Sequence, residues 1–122
     1  MNKEKTEKLY KDFPELYKQH TLSMQQTCMC WNFECGDGWF DLIYNLSKAL
    51  TKLDIGIEAV QVKEKYGGLR FYVNGGNVDT DKLISEAEAL SYEICEICGK
   101  KGKPNEDGWI STLCKKCRKN DK

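Results

Sequence analysis

The chain has 122 residues, of which 40% are hydrophobic and 31% are charged, and its 19 basic and 19 acidic side chains cancel to a net charge of zero. Such a length excludes two full enzyme domains, and the balance of apolar and charged residues excludes a disordered chain. The first twenty residues lack an apolar signal core, and no run is long enough to cross a membrane, so we expect a cytoplasmic protein.

Charges and cysteines are unevenly distributed along the chain. Residues 21–99 contain 6 basic and 12 acidic side chains, whereas residues 100–122 contain 8 basic and 3 acidic ones. A basic tail of this kind suits contact with phosphate groups or with an acidic protein surface. The seven cysteines indicate metal ligands or free thiols rather than a disulfide framework, because the cytosol keeps thiols reduced.

Two helices are predicted in the first half of the chain. Asp12 as an N-cap and Pro14 in the first turn predict a short helix over residues 14–24. A loop or short strand follows, in which Asp37 is placed to cap the next helix. That helix spans residues 39–53, where helical periodicity gives an apolar stripe of Trp39, Leu42, Ile43, Leu46, Leu50 and Leu53.

The period changes to two between residues 58 and 73, which predicts a β-hairpin. A four-residue loop over residues 65–68 pairs Val62 with Phe71 and Val60 with Val73, whereas a two-residue Gly-Gly turn would pair Glu64 with Phe71. We favour the longer loop. A third helix follows, capped by Asp79, Thr80 or Asp81, and its inward positions are Leu83, Ala87, Leu90 and Ile94.

The strongest chemical signal is a pair of CxxC motifs separated by fifteen residues. Its members are Cys95, Cys98, Cys114 and Cys117. Two such pairs suit tetrahedral thiolate coordination of one Zn²⁺, and a site with four protein ligands is closed, so the predicted role of the metal is structural. The first pair precedes Gly99 as in a zinc knuckle, and the second lies where a strand-like run gives way to a helix-compatible one, which is the layout of a treble-clef finger.

A second cysteine group leaves an alternative open. Cys28, Cys30 and Cys35, together with the sole histidine His20, offer enough ligands for another metal. Their spacing is not a standard zinc pattern, and buried free cysteines beside aromatic residues are common. We therefore favour free thiols here.

Basic and aromatic residues mark a candidate partner-binding surface. Cations attract phosphate or carboxylate groups and aromatic rings stack on bases or fill pockets, although a solvated strand face has the same composition. The candidate residues are Lys63, Lys65, Arg70 and Tyr72 on the hairpin, and Lys115, Lys116, Arg118 and Lys119 beyond the second cysteine pair. Gln61 and Lys63 also match half of a divalent-metal nuclease site, with Asp37, Asp41 or Asp54 as the distant acid.

Several motifs together resemble a group of uncharacterised small proteins of bacteria and their phages or prophages. The motifs are ECGDGW at residues 34–39, QVKEKYGGLRFY at residues 61–72, and CxxCG followed by TLCxxC at residues 95–117. The resemblance implies a phage or prophage context, and hence a small accessory protein in the host cytoplasm that binds and modulates a host or phage macromolecule.

We therefore expect an α+β protein in which helices pack on a β-hairpin or small antiparallel sheet. Residues 1–92 form the predicted core domain, and residues 93–122 form a treble-clef-like four-cysteine zinc finger continuous with the third helix. For function we favour a binding protein without catalysis, whose partner is a protein, in a regulatory or counter-defence role. The alternatives are nucleic-acid binding through the basic surfaces and a divalent-metal nuclease.

Overall fold

The computed structural model describes residues 1–106 and 108–120, a mixed α+β structure. Asp107, Asp121 and Lys122, which belong to the predicted finger, lie outside the described residues. The helices are α1 (Lys3–Asp12), α2 (Phe40–Lys52), α3 (Val78–Ser91) and α4 (Lys115–Asn120). The strands are β1 (Phe33–Glu34), β2 (Glu58–Lys65), β3 (Gly68–Asn74), β4 (Lys103–Pro104) and β5 (Thr112–Leu113).

The first helix lies upstream of its predicted position. Asn2 caps α1 by accepting a hydrogen bond from the Lys5 N–H at 2.8 Å. The helix ends at Asp12, and its C-cap Phe13 has a φ of −132° and a ψ of 59°, outside the helical region that a following proline disfavours. The prediction of a helix over residues 14–24 was wrong, because Pro14 ends a helix here instead of opening one. Only a 3₁₀ turn, Lys18–Thr21, lies in that range.

Helix α2 confirms the predicted apolar stripe. Trp39, Leu42, Ile43, Leu46 and Leu50 are buried, whereas the last predicted member, Leu53, is the C-cap and only half-buried. Asp37 was predicted to cap this helix, and that prediction was wrong: Trp39 occupies the N-cap position without a side-chain hydrogen bond. The Asp37 carboxylate instead accepts hydrogen bonds from the Asn2 backbone N–H at 2.6 Å and from its side-chain amide at 3.1 Å. Asp37 therefore ties α1 to the loop that precedes α2.

A three-stranded sheet has the order β1-β2-β3, with β1 parallel and β3 antiparallel to β2. The predicted pairing of Val62 with Phe71 is confirmed. Lys65 and Gly68 pair with each other, so the connection is a two-residue turn at Tyr66 and Gly67, not a four-residue loop. Both turn residues have positive φ, 55° and 82°, the conformation that a tight hairpin turn requires.

The start of β2 departs from the predicted register. An irregularity between Ala59 and Gln61 leaves Ala59, not Val60, opposite Val73, so the predicted pairing of Val60 with Val73 was wrong. The extra residue is a β-bulge, which reverses the side-chain alternation locally. Ala59 is consequently buried and Val60 is only half-buried.

The core lies between the helices and the inner face of the sheet. Tyr17 is fully buried there, and its hydroxyl is 2.5 Å from the Ser47 hydroxyl. Phe33 and Phe71 contact the Tyr17 ring edge-on, with centroid distances of 5.1 and 6.3 Å. Burial of aromatic rings of this size is a major stabilising contribution for a small domain.

Helix α3 packs beside the edge of β3. Asn77 caps it reciprocally with Thr80, so the predicted caps were wrong although the start of the helix was close. Leu90 is 50% exposed and does not face inward as predicted. Ser91 is buried instead, and its hydroxyl accepts a hydrogen bond from the edge-strand N–H of Leu69 at 2.9 Å.

Candidate metal centre

The first cysteine pair, Cys95 and Cys98, lies on a tight turn that begins shortly after α3 ends at Ser91. The Gly99 N–H donates to the Cys95 carbonyl at 2.9 Å, and the Cys95 N–H donates to the Lys100 carbonyl at 2.7 Å. Gly99 has a φ of +81°, a left-handed conformation that favours glycine. The turn defined by residues 95–99, the knuckle, therefore depends on the glycine that follows the CxxC pair.

The second pair spans the junction between β5 and α4. Cys114 follows Leu113 directly, and Cys117 lies on the first turn of α4. The Cys117 N–H donates to the Cys114 sulfur at 3.4 Å, and this hydrogen bond lowers the pKa of the Cys114 thiol. A donor aimed at the sulfur favours the thiolate, the form that binds metal.

The structure brings the four predicted ligands together. All four sulfurs lie within 4.8 Å of one another, and those of Cys98 and Cys114 are 3.6 Å apart. Four thiolates placed tetrahedrally around one ion at about 2.3 Å stand about 3.8 Å apart. In the described part of the chain, no other group of three or more His, Cys, Asp or Glu side chains converges in this way. The cluster is thus a plausible site for one metal ion.

A glycine-rich loop, Gly36-Asp37-Gly38, contacts the knuckle backbone, and no pattern in the sequence indicated this contact. The Gly38 N–H donates to the Glu96 carbonyl at 2.7 Å. A Cβ on Gly38 would lie 2.1 Å from the Cys95 carbonyl oxygen, and one on Gly36 would lie 2.3 Å from that of Glu96. Both positions therefore require glycine for close backbone approach rather than for a positive φ.

Side chains reinforce this contact. The Glu96 carboxylate accepts a hydrogen bond from the Gly36 N–H at 2.8 Å, and burial raises the pKa of that carboxyl above its usual range. The indole N–H of the fully buried Trp39 donates to the Ile94 carbonyl at 2.8 Å. The ECGDGW motif thus holds the residue on either side of Cys95.

The hairpin turn forms a second contact with the cysteine-rich segment. The Thr112 hydroxyl donates to the Gly67 carbonyl at 2.6 Å, and the Glu96 N–H donates to the Thr112 carbonyl at 3.0 Å. A Cβ on Gly68 would lie 2.3 Å from the Tyr92 hydroxyl oxygen. Both glycines of the YGG motif are therefore buried against the segments that flank the cysteines, Gly67 against Thr112 and Gly68 against Tyr92.

The predicted partner-binding residues on the hairpin differ in availability. Lys63 and Lys65 line a groove of about 420 Å³ that they share with Tyr66 and Trp109. The Tyr72 side chain is exposed outside this groove. Arg70 is paired with Glu88 at 2.7 Å and its side chain is only 22% exposed, so its charge is largely neutralised within the protein.

The predicted residues beyond the second cysteine pair also divide into two kinds. Lys115, Lys116 and Lys119 are exposed on α4. Arg118 instead donates to the Lys103 carbonyl at 2.5 Å and to the Ser111 and Leu113 carbonyls at 3.4 Å each. Arg118 thus joins α4 to both short strands.

The alternative metal and nuclease sites are not assembled. Cys28 is exposed and Cys35 is buried. His20 stacks on Tyr10 with ring centroids 3.8 Å apart. Of the candidate nuclease acids, Asp37 accepts hydrogen bonds from Asn2, whereas Asp54 and Asp41 each line a surface pocket that Lys63 does not line.

We expect iodoacetamide at pH 8 to alkylate Cys28 and to leave Cys35 unmodified. Burial raises the pKa of the Cys35 thiol to about 12, so the reactive thiolate is scarce and shielded. Mass spectrometry of peptides from a time course measures both rates. In guanidinium the two rates should converge. Equal rates in the native protein would contradict the buried position of Cys35.

Comparison of the chain with protein-family models, with curated proteins and with solved structures finds no match. In the part of the chain that the structure describes, no helix has the length and apolar character needed to cross a bilayer.

Proposed function

We propose that the four cysteines hold one structural Zn²⁺ and that this end of the chain is a treble-clef-like finger. The order of a knuckle, two short antiparallel strands and a helix bearing the last ligand supports the finger assignment. Four thiolates without an oxygen or water ligand are the donor set of structural zinc. The metal would stabilise a segment that has few buried apolar side chains of its own.

The proposed function is that of a non-catalytic accessory protein that binds a protein partner. The observation that carries it is the groove between the hairpin turn and the finger loop. Trp109 is 87% exposed at one side of this groove and Tyr66 is 66% exposed at the other. Large aromatic side chains of this kind supply much of the affinity of protein interfaces when a partner covers them.

The charges of the groove select the partner's chemistry. Lys63 and Lys65 lie on the hairpin wall, and the Lys65 ammonium is 5.5 Å from the centre of the Tyr66 ring. The Glu64 carboxylate accepts a hydrogen bond from the Gly67 N–H at 2.7 Å, which engages it within the turn. We therefore propose that the occupant is an acidic segment of a protein with an apolar side chain that packs between the two rings.

The proposal also concerns where the protein partner is found. The resemblance to phage and prophage proteins supports a partner in the bacterial host or in the phage, reached in the host cytoplasm. A closed metal site and a recognition groove suit a protein that modulates its partner by occupying a surface. Regulation of transcription and inhibition of a defence system are both of this kind.

Replacing Trp109 with alanine is expected to abolish capture of the partner. Removing one central aromatic side chain weakens an interface by about 2 kcal/mol or more, roughly thirtyfold in affinity. Tagged protein would be incubated with host lysate, both with and without nuclease treatment, and retained proteins would be quantified by mass spectrometry. A partner retained by the wild type and absent from Trp109→Ala supports the proposal.

Trp31→Ala is the matched control, because Trp31 is 58% exposed on a different element. It should retain the partner as the wild type does. Equal retention by Trp109→Ala would overturn the assignment of the groove. Retention that disappears with nuclease would show a nucleic-acid partner and overturn the choice of protein.

A further inference from the structure

The finger has a second recessed surface, whose lining residues differ from those of the groove. It is a cleft of about 290 Å³ between the segment around β4 and the junction of β5 with α4. Four of its seven lining residues are cationic and none is acidic: Lys101, Lys103, Lys115 and Arg118. We refer to these four residues as the basic cleft. Its composition contrasts with the acidic middle of the chain.

The backbone fixes the direction of two of these lysines. Lys101 and Lys103 flank Gly102, and alternate residues of an extended segment project to the same side. The Gly102 N–H donates to the Glu93 carbonyl at 2.9 Å, and a Cβ there would lie 2.8 Å from the carbonyl carbon of Leu113. Gly102 therefore faces the protein, while Lys101 and Lys103 are exposed on the opposite side.

Arg118 gives the cleft a positioned guanidinium. Its Nη2 donates to the carbonyls of Lys103, Ser111 and Leu113, which holds the side chain across the two strands. Arginine carries five N–H donors, and a guanidinium held in place loses little further entropy when an anion binds. Lys115 stands beside it at the start of α4 and is exposed.

The charge of the cleft exceeds what the metal centre needs. A Zn²⁺ ion with four thiolates carries a formal charge of minus two, which four cations overcompensate. Within the described residues none of the four forms a salt bridge with a carboxylate. An array of positive groups, one of them held by hydrogen bonds to backbone carbonyls, suits the regularly spaced phosphates of a nucleic-acid strand.

We propose that the basic cleft binds the phosphate backbone of a nucleic acid. This site is distinct from the groove proposed for the protein partner, and the two proposals can fail independently. A finger with both surfaces would bring a protein and a nucleic-acid strand together. Recognition through the backbone alone would be insensitive to base sequence.

The test is fluorescence anisotropy with zinc-loaded full-length protein and a labelled oligonucleotide, single-stranded and duplex, between about 20 and 200 mM salt. The variant is Lys101→Gln/Lys103→Gln/Lys115→Gln, which keeps side-chain length and removes charge. We expect roughly tenfold weaker binding at the low-salt end. The slope of log affinity against log salt should become shallower by about 0.7 for each phosphate of a single strand that the variant no longer neutralises.

The matched control is Lys48→Gln/Lys52→Gln/Lys82→Gln, three exposed lysines on α2 and α3. It changes net charge equally and should alter affinity less than twofold. Equal losses in both triple variants, or no binding at low salt, would overturn the proposal. Reduced zinc affinity in the cleft variant with unchanged oligonucleotide binding would instead assign the lysines to the metal centre.

Two competitors separate the sources of negative charge at constant ionic strength. One competitor is inorganic phosphate and the reference is unlabelled oligonucleotide, both compared at equal concentrations of phosphate groups. If the two displace the labelled oligonucleotide equally well, the cleft is a small-anion site. The other competitor is poly-glutamate. If it binds as tightly as the oligonucleotide does, and loses affinity in the triple lysine variant of the cleft, the cleft is a site for acidic proteins. Either result would overturn nucleic-acid recognition, whereas displacement by unlabelled oligonucleotide alone supports it.

Discussion

Replacing Cys98 with serine is expected to release the proposed zinc ion and to open residues 93–120 to protease. Binding of a structural zinc contributes about 10 kcal/mol or more. That is comparable to the total stability of a small domain, about 5–15 kcal/mol. The finger segment has two-residue strands and a six-residue helix, which are too short to be stable alone.

The Cys98→Ser substitution is also expected to destabilise two segments outside the finger. Thr112 bonds to the hairpin turn at Gly67, and Glu96 bonds to Gly38 in the glycine loop. Hydrogen exchange should therefore accelerate at the hairpin turn and in residues 36–39, as well as near the cysteines. The Trp109 side of the groove should be disrupted with the finger, so the variant should also fail to retain the protein partner.

Cys28→Ser is the matched control, since Cys28 is exposed and lies outside the cluster. It should keep one zinc per chain, measured by atomic emission, and the protease resistance of the wild type. Full zinc content and unchanged protease resistance in Cys98→Ser would contradict a zinc-stabilised finger. Zinc loss without faster exchange at the hairpin turn would contradict the coupling between the finger and the core.

Local patterns account for the features that the sequence predicted well. The convergence of the four cysteines follows from two short spacings, because each CxxC pair already lies on one turn. Helix α2 has a complete apolar stripe, and no proline or glycine interrupts it. The pairing of Val62 with Phe71 follows from alternation on both strands. Each of these features depends on residues close together in the chain.

The errors arose where two local signals compete. Asp12, Phe13 and Pro14 have the composition of a helix start, but the same proline disfavours helical geometry at Phe13 and so ends α1. Asn2 caps α1, a cap that was not among the predicted ones, and the helix has little apolar character. Strand β1 has two residues, too few for any period to be visible, and it forms only by pairing with β2.

Contacts distant in sequence could not be predicted from one chain. Gly36 and Glu96 are sixty positions apart, and neither residue type indicates a partner. The glycines of ECGDGW and KYGG suggested loops and turns, which is correct locally. Gly36 and Gly38 have a further role: the absence of a side chain lets the knuckle backbone approach the core. Two motifs that contribute to the family resemblance thus also place the four-cysteine cluster against the core.

The second large effect is expected for Gly38→Ala, which should destabilise the protein by about 3 kcal/mol and weaken zinc binding. The added Cβ would lie 2.1 Å from the Cys95 carbonyl oxygen and 2.6 Å from the Gly99 nitrogen. Both atoms belong to the knuckle backbone, so the clash is relieved only by moving a metal ligand or by breaking the hydrogen bond from the Gly38 N–H to Glu96. Denaturation with zinc in excess measures the stability, and competition with a chelator measures the zinc affinity.

Gly56→Ala separates this contact from the general cost of replacing a glycine. Gly56 has a φ of +74° and no heavy atom within 4 Å of the added Cβ, so only backbone strain of about 1 kcal/mol is expected, with zinc affinity unchanged. If Gly38→Ala binds zinc as tightly as Gly56→Ala does, the glycine loop does not position the knuckle. Weaker zinc binding in Gly38→Ala alone would mean that a glycine 57 positions before Cys95 helps to set the geometry of the metal site, because the core and the finger fold as one structure.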